Sequence, residues 1–360
     1  MSLAGHFAKD YRDARAKFLA ACNDAGVGVR SYENPATGPD GEPVYTDVAA
    51  FGDPTAPARL IANSATHGVE GFCGSGAMVA WLRSGVAKRL RAGVAVVLVH
   101  AINPHGFAWL RRVNEDNVDL NRNFIDHDQP APHNAQYDAL HPYVLPSGID
   151  RATLATCDAA LMRFAGEHGT GALQSALSRG QYAHADGIFY GGTQPTWSNH
   201  TFRKILAEHA AGADRIAFID FHTGLGPYAH GELISKEAVD STEFQRLLAW
   251  YGPALKSSAS GESASPELSG IISSAVREAA TGAEISSITA EFGTYPIVQV
   301  LQALREDNWV HARGDLKGPQ ARAAKAKIRE AFYPDDPDWC ELVGLRGIQL
   351  LRRAVAGLSA

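Results

Sequence analysis

The sequence predicts an α/β fold with a mixed, mainly parallel central sheet and helices on both faces. Short runs of β-branched and aliphatic residues alternate along the chain with longer stretches of helical spacing. No internal repeat interrupts that alternation. With 360 residues, 45% of them hydrophobic and 20% charged, the chain is long enough to bury a sizeable core. We therefore expect a single domain over residues 1–360.

The predicted strands are short apolar runs bounded by turn residues: Val44–Phe51, Arg59–Ser64, Val94–His100, Arg215–Phe221 and Ser286–Phe292. The predicted helices have apolar residues at helical spacing: Ala8–Ala25, Ser75–Ser84, Arg151–Glu167, Thr201–Ala210, Thr242–Tyr251, Val298–Val310, Gly318–Ala331 and Glu341–Ala356. Four prolines between residues 125 and 150 predict a long loop there.

The charge of the chain excludes several kinds of partner. The formal net charge is -6 at pH 7, and the lysines and arginines are scattered along the sequence. Neither a nucleic acid nor an anionic membrane is expected to bind such a surface. The expected partner is a small-molecule or peptide substrate, and the sequence leaves the oligomeric state open.

The cysteines and the N-terminal residues predict a cytoplasmic location. The four cysteines lie far apart and have neither zinc-ribbon spacing nor the density of a disulfide scaffold. Six charged residues between Lys9 and Lys17 interrupt any apolar segment of a signal peptide. The most apolar run, around Val94–Val99, is far shorter than the roughly 20 residues that cross a bilayer.

Polar side chains follow the predicted strands where each strand ends. His67 and Glu70 follow the second predicted strand, and the turn Asn103–Gly106 follows the third. His222 ends the run RIAFIDF, and Glu291 ends the run SSITA. Open α/β sheets build their sites at the carboxyl ends of strands, where successive loops converge. The His-x-x-Glu pair is weak evidence alone, and its agreement with the other segments makes it a candidate site.

Zinc suits this set of side chains. A catalytic zinc site commonly has three protein ligands, drawn from imidazole and carboxylate, and an open fourth position. His67, Glu70 and His222 form such a set, and Glu291 is the natural base for activating water. Asp220 lies two residues before His222 on the same side of the strand, so it can orient an imidazole or act as an ordinary capping carboxylate.

The segment Asn103–Phe124 reads NPHGFAWLRRVNEDNVDLNRNF, and with it the chain resembles the zinc carboxypeptidases, the M14-like metallopeptidases. In that family His-x-x-Glu is followed by an Asn-Pro-x-Gly turn, an Arg, an Asn-Arg pair, a distant His and a catalytic Glu. These elements occur here in the same order. The resemblance implies that His67, Glu70 and His222 bind one zinc ion and that Glu291 is the general base.

The resemblance also assigns roles to residues of the Asn-Arg segment. It implies that Asn121 and Arg122 hold a carboxylate of the substrate and that Arg112 stabilises the oxyanion. The adjacent Arg111 leaves that last assignment open. A guanidinium suits both roles because its donor fork pairs with a carboxylate and its charge persists at any working pH. An alternative is that Arg122 is a buried ion-pair partner of Asp119.

Within the family the chain most resembles an uncharacterised bacterial branch, the DUF2817-like proteins. The segment DFHTGLG at residues 220–226 and the stretch Gly187–Gly192 are typical of it. The match is good over residues 59–124 and 215–297. Residues 125–214 form a poorly matched insert, which we expect to shape the mouth of the pocket.

One departure from the family concerns its substrate-binding tyrosine. Digestive members carry this Tyr shortly before the catalytic Glu, but no Tyr occurs between Gly252 and Glu291. Tyr190, Tyr228 and Tyr295 are the candidates to replace it, against the simpler interpretation that each packs at an ordinary position.

The resemblance predicts a zinc-dependent hydrolase that cleaves an amide bond next to a free carboxylate, as a carboxypeptidase does. Two alternatives with the same chemistry are an N-acyl amino acid deacylase, like aspartoacylase or succinylglutamate desuccinylase, and a cell-wall peptide amidase. From another class, the chain could be a non-catalytic carboxylate-binding module. The presence of Glu291 argues against the last of these.

Overall fold

The computed structural model describes residues 2–261, 263 and 268–360, with all of their side chains except that of Lys88. Within this part of the chain the strands are β1 (Val29–Thr37), β2 (Pro43–Phe51), β3 (Ala58–Asn63), β4 (Val94–His100), β5 (Arg215–Tyr228), β6 (Gly231–Ser235), β7 (Leu255–Ser257) and β8 (Glu284–Gly293).

These strands form one sheet in the order β1-β2-β4-β3-β5-β8-β6-β7. The four central strands β4, β3, β5 and β8 are parallel to one another. On one side β1 and β2 pair antiparallel, and β2 adds antiparallel to β4. On the other side β6 pairs antiparallel with β8 and parallel with β7. The predicted mixed, mainly parallel sheet is confirmed.

The helices of the described chain are α1 (Tyr11–Ala25), α2 (Gly71–Arg83), α3 (Pro104–Ala108), α4 (Ala135–Val144), α5 (Arg151–His168), α6 (Thr170–Ser178), α7 (Trp197–His209), α8 (Thr242–Tyr251), α9 (Ser273–Ala279), α10 (Ile297–Arg313), α11 (Pro319–Phe332) and α12 (Pro337–Leu358). In the described part of the chain, none of them is long and apolar enough to cross a membrane.

Alternation along the strands sends side chains to two cores, one on each face of the sheet. Leu60 and Ile219 pack with α1, α2, α8 and α12 on one face. Ile61 and Phe218 pack with α7 and α9 on the other face. The predicted placement of helices on both faces is therefore confirmed.

Several elements differ from the sequence prediction. Residues 125–150 were expected to be a loop, but α4 lies within them, capped by the Asn134 side chain and with Pro142 in its last turns. The prolines obscured the cap, which is a helix-start signal. β1 also escaped prediction because it is a polar edge strand that contains Pro35, and a proline is tolerated at an edge.

The register of the central strands brings the candidate residues together. Asn63 of β3 pairs with Asp220 of β5, and His222 of β5 pairs with Glu291 of β8. β5 continues to Tyr228 instead of ending at residue 221, so His222 lies inside a strand. Its position is therefore held by hydrogen bonds to β8.

A close backbone approach holds the turn that carries His67 and Glu70. The Gly68 N–H donates to Arg112 O at 3.1 Å, and the Val69 N–H donates to Arg111 O at 2.8 Å. A β-carbon on Gly68 would lie 2.1 Å from the carbonyl carbon of Gly106. Only glycine fits there without movement of one of the two backbones.

We predict that Gly68→Ala lowers the free energy of unfolding by about 1–3 kcal/mol, because the new methyl group meets backbone that cannot move cheaply. Thermal and denaturant unfolding measure the effect. Gly28→Ala is the matched control, since nothing lies within 4 Å of its β-carbon position. Equal stability of the two variants would contradict this description of the turn.

Candidate metal centre

Three of the predicted residues converge in the structure: His67, Glu70 and His222. Among the described residues they form the one group of His, Cys, Asp and Glu side chains that could hold a metal ion, with ligand atoms within 4.8 Å of one another. All three are buried, and Glu70 is only 1% exposed. Gly68–Glu70 form a single 3-10 turn after β3 and lead directly into α2, which fixes the short spacing between His67 and Glu70.

The two imidazoles face each other through the same ring nitrogen. His67 Nδ1 and His222 Nδ1 lie 3.1 Å apart. The Glu70 carboxylate spans the pair, with Oε1 2.9 Å from His67 Nδ1 and Oε2 3.1 Å from His222 Nδ1. Two nitrogens on one tetrahedral zinc ion lie about 3.3 Å apart, given Zn–N bonds of about 2.0–2.1 Å. The donor types and their spacing fit zinc.

A buried carboxylate contacts the outer nitrogen of each imidazole. Asp119 Oδ1 lies 3.0 Å from His67 Nε2, and Asp220 Oδ2 lies 2.5 Å from His222 Nε2. Asp220 also accepts hydrogen bonds from Asn63 Nδ2 and Thr66 Oγ1. Arg112 Nη2 lies 2.8 Å from the same Nε2 of His67. Both Nδ1 atoms thus face the Glu70 carboxylate, and both Nε2 atoms face an outer carboxylate, which is the usual arrangement around metal-binding histidines.

Asp119 is the functional residue that the sequence analysis missed. It was considered only as a partner of Arg122, although it lies in the same DLNRNF motif as the Asn-Arg pair. Its position two residues before Asn121 was the available signal. Because both residues sit in a tight turn capped by the Asp119 side chain, one short segment places Asp119 against His67 and Asn121 in the wall of the neighbouring pocket.

The charges around the site also favour a divalent cation. In the described part of the chain, four buried carboxylates meet here, those of Glu70, Asp119, Asp220 and Glu291. Two guanidiniums, those of Arg112 and Arg122, lie beside them. With neutral imidazoles and ionised carboxylates, the group carries a net charge of about -2, which is costly in a buried place unless a cation compensates it.

The pKa values of the metal-free site respond to this crowding. Burial alone would lower the pKa of His222, but Asp220 and Glu70 raise it well above its ordinary value. Burial would raise the pKa of Glu70, but the two imidazoles bring it below its usual range. The surrounding carboxylates thus favour positive charge at the His222 imidazole.

Glu291 lies beside the ligand group but is not one of the three converging residues. It pairs with His222 across β5 and β8, and its Oε1 accepts a hydrogen bond from the Leu225 N–H at 3.1 Å. Burial raises the pKa of its carboxyl, and the negative charge of Glu70 raises it further. A bound cation would oppose that shift, since positive charge favours the carboxylate.

The two adjacent arginines point to different places. Arg112 Nη1 donates to Glu70 Oε1 at 3.1 Å, and its Nε donates to Asp119 Oδ2 at 3.0 Å. Arg111 instead bonds to Asn117 Oδ1 and lies 3.6 Å from Asp307 Oδ2. Of the two, only Arg112 lines the pocket in the described structure.

Asn121 and Arg122 line the same pocket. Arg122 donates from Nε and Nη2 to Ser178 O, and from Nη1 to Asn121 O. A guanidinium has five N–H groups, so one hydrogen remains on each terminal nitrogen beyond these bonds to described residues. The alternative in which Arg122 pairs with Asp119 is not what the structure contains, because the described guanidinium in hydrogen-bond contact with Asp119 is that of Arg112.

The pocket encloses about 370 Å³. Its lining includes several hydroxyl side chains and one ammonium group: Ser258, Ser273, Ser274, Ser287, Thr289 and Lys236. No tyrosine of the described chain is among the lining residues. Tyr228 and Tyr295 bond to Asp336 and Glu330, and Tyr190 is buried, so none of the three candidates takes the place of the family's tyrosine in this structure.

A family model described as "Protein of unknown function (DUF2817)" matches residues 7–345, which is nearly the whole chain. This match confirms the branch indicated by the sequence motifs. No curated protein sequence matches the chain.

Several solved structures are similar to the chain. The carboxypeptidase A of Helicoverpa armigera is 14% identical, over 89% of this chain and 74% of that one, with a TM-score of 0.46. Bovine thrombin-activatable fibrinolysis inhibitor, solved with tick carboxypeptidase inhibitor, is 12% identical over 92% and 99%, with a TM-score of 0.45. A Silicibacter succinylglutamate desuccinylase is 16% identical over 89% and 65%, with a TM-score of 0.39.

We predict that Asp220→Asn weakens zinc binding by about 10- to 100-fold, because the imidazole of His222 loses the charged partner that orients it. Competition with a zinc-chelating dye measures the affinity. Asp240→Asn is the control, since Asp240 is an exposed aspartate outside the site. Equal affinities in the two variants would show that Asp220 does not support a metal ligand.

We also predict that zinc uptake at pH 7 releases about one proton or more, because zinc must displace a proton from His222. Calorimetric titration in two buffers of different ionisation enthalpy measures the number. Protons compete with the metal for Nδ1, so the affinity should rise with pH until the imidazole of the metal-free protein is neutral. An affinity independent of pH between 6 and 8 would contradict the raised pKa of His222.

Proposed function

The chain belongs to the DUF2817 family of proteins of unknown function, and we propose that it is a zinc-dependent hydrolase that cleaves an amide bond next to a free carboxylate. One observation carries the proposal: three potential metal ligands converge, namely His67 Nδ1, His222 Nδ1 and the Glu70 carboxylate. Glu291 and Arg122 line the same pocket as these three residues. The proposed metal ligands, the proposed base and the proposed carboxylate-binding group therefore share one cavity.

His67, Glu70 and His222 hold the zinc ion in this proposal. When bound there, zinc supplies Lewis acidity, which polarises a carbonyl and makes water acidic enough to ionise near neutral pH. Asp119 and Asp220 contact the outer nitrogens of the two imidazoles and so orient each ring with Nδ1 towards the ion. The protein thereby supplies a preorganised site that needs little rearrangement on binding.

Glu291 moves the proton. Its carboxylate takes a proton from water as the water oxygen attacks the carbonyl carbon, and it returns that proton to the amide nitrogen as the C–N bond breaks. The hydrogen bond from the Leu225 N–H engages Oε1, which leaves Oε2 to carry the proton. Burial keeps bulk water from competing for this carboxylate.

The two arginines bind the two negatively charged groups of the reaction, which are the oxyanion formed from the carbonyl and the carboxylate of the substrate. Arg112 lies beside the ligand group and stabilises the charge that develops on the carbonyl oxygen. Arg122 uses the remaining hydrogens of its terminal nitrogens, together with Asn121, to hold the substrate carboxylate. An amide that lacks this neighbouring carboxylate is therefore a poor substrate.

We propose that residues 125–214 shape the mouth of the pocket within a single catalytic domain. Gln174, Ser178 and Phe189, all from this insert, line the cavity. Ser178 also fixes the Arg122 guanidinium through its carbonyl. The insert consequently decides how far a substrate can extend away from its carboxylate.

We predict that Glu291→Gln lowers kcat by about 10²–10⁴-fold while zinc stays bound, because an amide cannot accept the proton of water. Zinc content is measured on the same samples as hydrolysis. Glu284→Gln is the control, since Glu284 is an exposed residue at the opposite end of the same strand. Activity that survives Glu291→Gln with zinc retained would refute the assigned role.

A substrate panel distinguishes the forms of the proposal. Hydrolysis of peptides at the C-terminal residue supports a carboxypeptidase, and hydrolysis of N-acyl amino acids or cell-wall peptides supports a deacylase or an amidase. Each compound is tested beside the analogue in which a carboxamide replaces its carboxylate. The analogue should be hydrolysed far more slowly because it offers no negative charge to Arg122. Failure on every amide, with carboxylate binding retained, would favour the non-catalytic binding module.

A further inference from the structure

The stretch Gly187–Gly192 lies directly behind the turn that carries the carboxylate-binding residues. The Asp119 N–H donates to Tyr190 O at 2.7 Å, and Asn123 Nδ2 donates to Gly191 O at 2.8 Å. The sequence analysis noted this stretch as typical of the branch but gave it no role. In the structure it supports the segment from Asp119 to Asn123 along its length.

Phe189 has a backbone conformation that is uncommon for its type. Its φ is 56°, in the left-handed region, where a residue with a β-carbon is strained. The Gln181 N–H donates to Phe189 O at 3.1 Å and helps to hold this conformation. The side chain is only 6% exposed and lines the pocket. Strain of this kind persists where the surrounding structure requires a side chain at one place.

The Phe189 ring is shared by the two arginines of the site. The Arg112 Cζ lies 5.0 Å from the ring centroid, and the Arg122 Cζ lies 5.9 Å from it. Both distances are within the range of a cation–π interaction. The two guanidiniums carry like charges and repel each other, so a common aromatic ring offsets part of that repulsion in a buried place.

A second contact restricts Arg122 from the same insert. A β-carbon on Gly180, whose φ is 111°, would lie 2.8 Å from Arg122 Cδ. Asn134 Nδ2 donates to Gly180 O at 2.9 Å and holds that backbone in place. The alkyl part of Arg122 is thus held by backbone, and the guanidinium end is held by the Ser178 carbonyl and the Phe189 ring.

We propose that Phe189 is a positioning residue that holds the guanidiniums of Arg112 and Arg122 at a fixed separation. That separation sets the reach from the substrate carboxylate to the scissile carbonyl, so Phe189 restricts substrates to those with the carboxylate directly next to the amide. This inference rests on the proposed function. It adds a residue outside the metal-binding and Asn-Arg motifs to the substrate-binding apparatus.

The test compares Phe189→Leu with Phe189→Tyr in the full-length, zinc-loaded protein. Both carry Glu291→Gln, so that ligands are bound without turnover. The probes are N-acetylalanine and N-acetylalaninamide, which differ only in the carboxylate, and NMR titration measures their dissociation constants. Phe189→Leu should weaken binding of the acid by about tenfold and leave the amide within about twofold, while Phe189→Tyr, which keeps the aromatic ring, should bind both as the parent does.

Each outcome has a distinct meaning. Equal weakening of both probes, or no weakening of the acid, overturns the role of Phe189. Failure of the parent protein to prefer the acid overturns the carboxylate site of the proposed function itself. Tyr45→Leu is the matched control, because Tyr45 lies on β2 outside the pocket and its aromatic ring makes a cation–π contact with Arg15 of α1. If Phe189→Leu does not fold, Phe189→Met keeps the apolar volume and should show the same selective loss.

With Glu291 restored, steady-state kinetics on an active substrate gives an independent readout. Phe189→Leu should raise KM for the carboxylate substrate more than it lowers kcat. It should also reduce the difference in hydrolysis rate between two substrates, one with a single carbon between its carboxylate and its amide and one with two carbons there. A simple loss of folded protein would lower kcat alone. Unchanged discrimination between the two substrate lengths would contradict the fixed separation.

Discussion

The burial of negative charge around Glu70 is the constraint on which the site depends. Its carboxylate is 1% exposed and contacts two imidazoles and the Arg112 guanidinium within 3.1 Å. Asp119 and Asp220 bring further buried charge to the outer sides of those imidazoles. A protein tolerates such a group only when each charge has a partner, and the divalent cation of our proposal would complete the pairing. The position of Arg112 beside Glu70 and the raised pKa of His222 follow from this requirement.

The regular strands of the sheet position most residues of the site. Because β3, β5 and β8 are parallel neighbours, their carboxyl ends meet at one edge, and the register sets His222 opposite Glu291. Residues that must keep a fixed distance lie on strands or on turns attached to them. Other residues that line the pocket come from the insert and from the loop before α9.

The sequence predicted the central strands and the residues that follow them, because buried parallel strands are continuous apolar runs with a clear end. His67, Glu70 and Glu291 could be placed near one another on that basis. The partner of Asp119 could not be predicted, since it depends on which nitrogen of His67 faces inward. Phe189 could not be assigned either, because its role depends on how the insert packs against Arg112 and Arg122. Helix α4 was not predicted because the prolines of this segment, including Pro142, indicated a loop, although Asn134 is a residue type that caps helices.

The most direct test of the account is X-ray diffraction from crystals of the zinc-loaded protein, collected on both sides of the zinc absorption edge. The account predicts one anomalous peak, with the Nδ1 atoms of His67 and His222 and the Glu70 carboxylate as its protein neighbours, and with Asp119 and Asp220 on the Nε2 atoms. Three results would contradict the central claim: a zinc ion bound through the Nε2 atoms, an anomalous peak at another place, or no peak after loading with zinc.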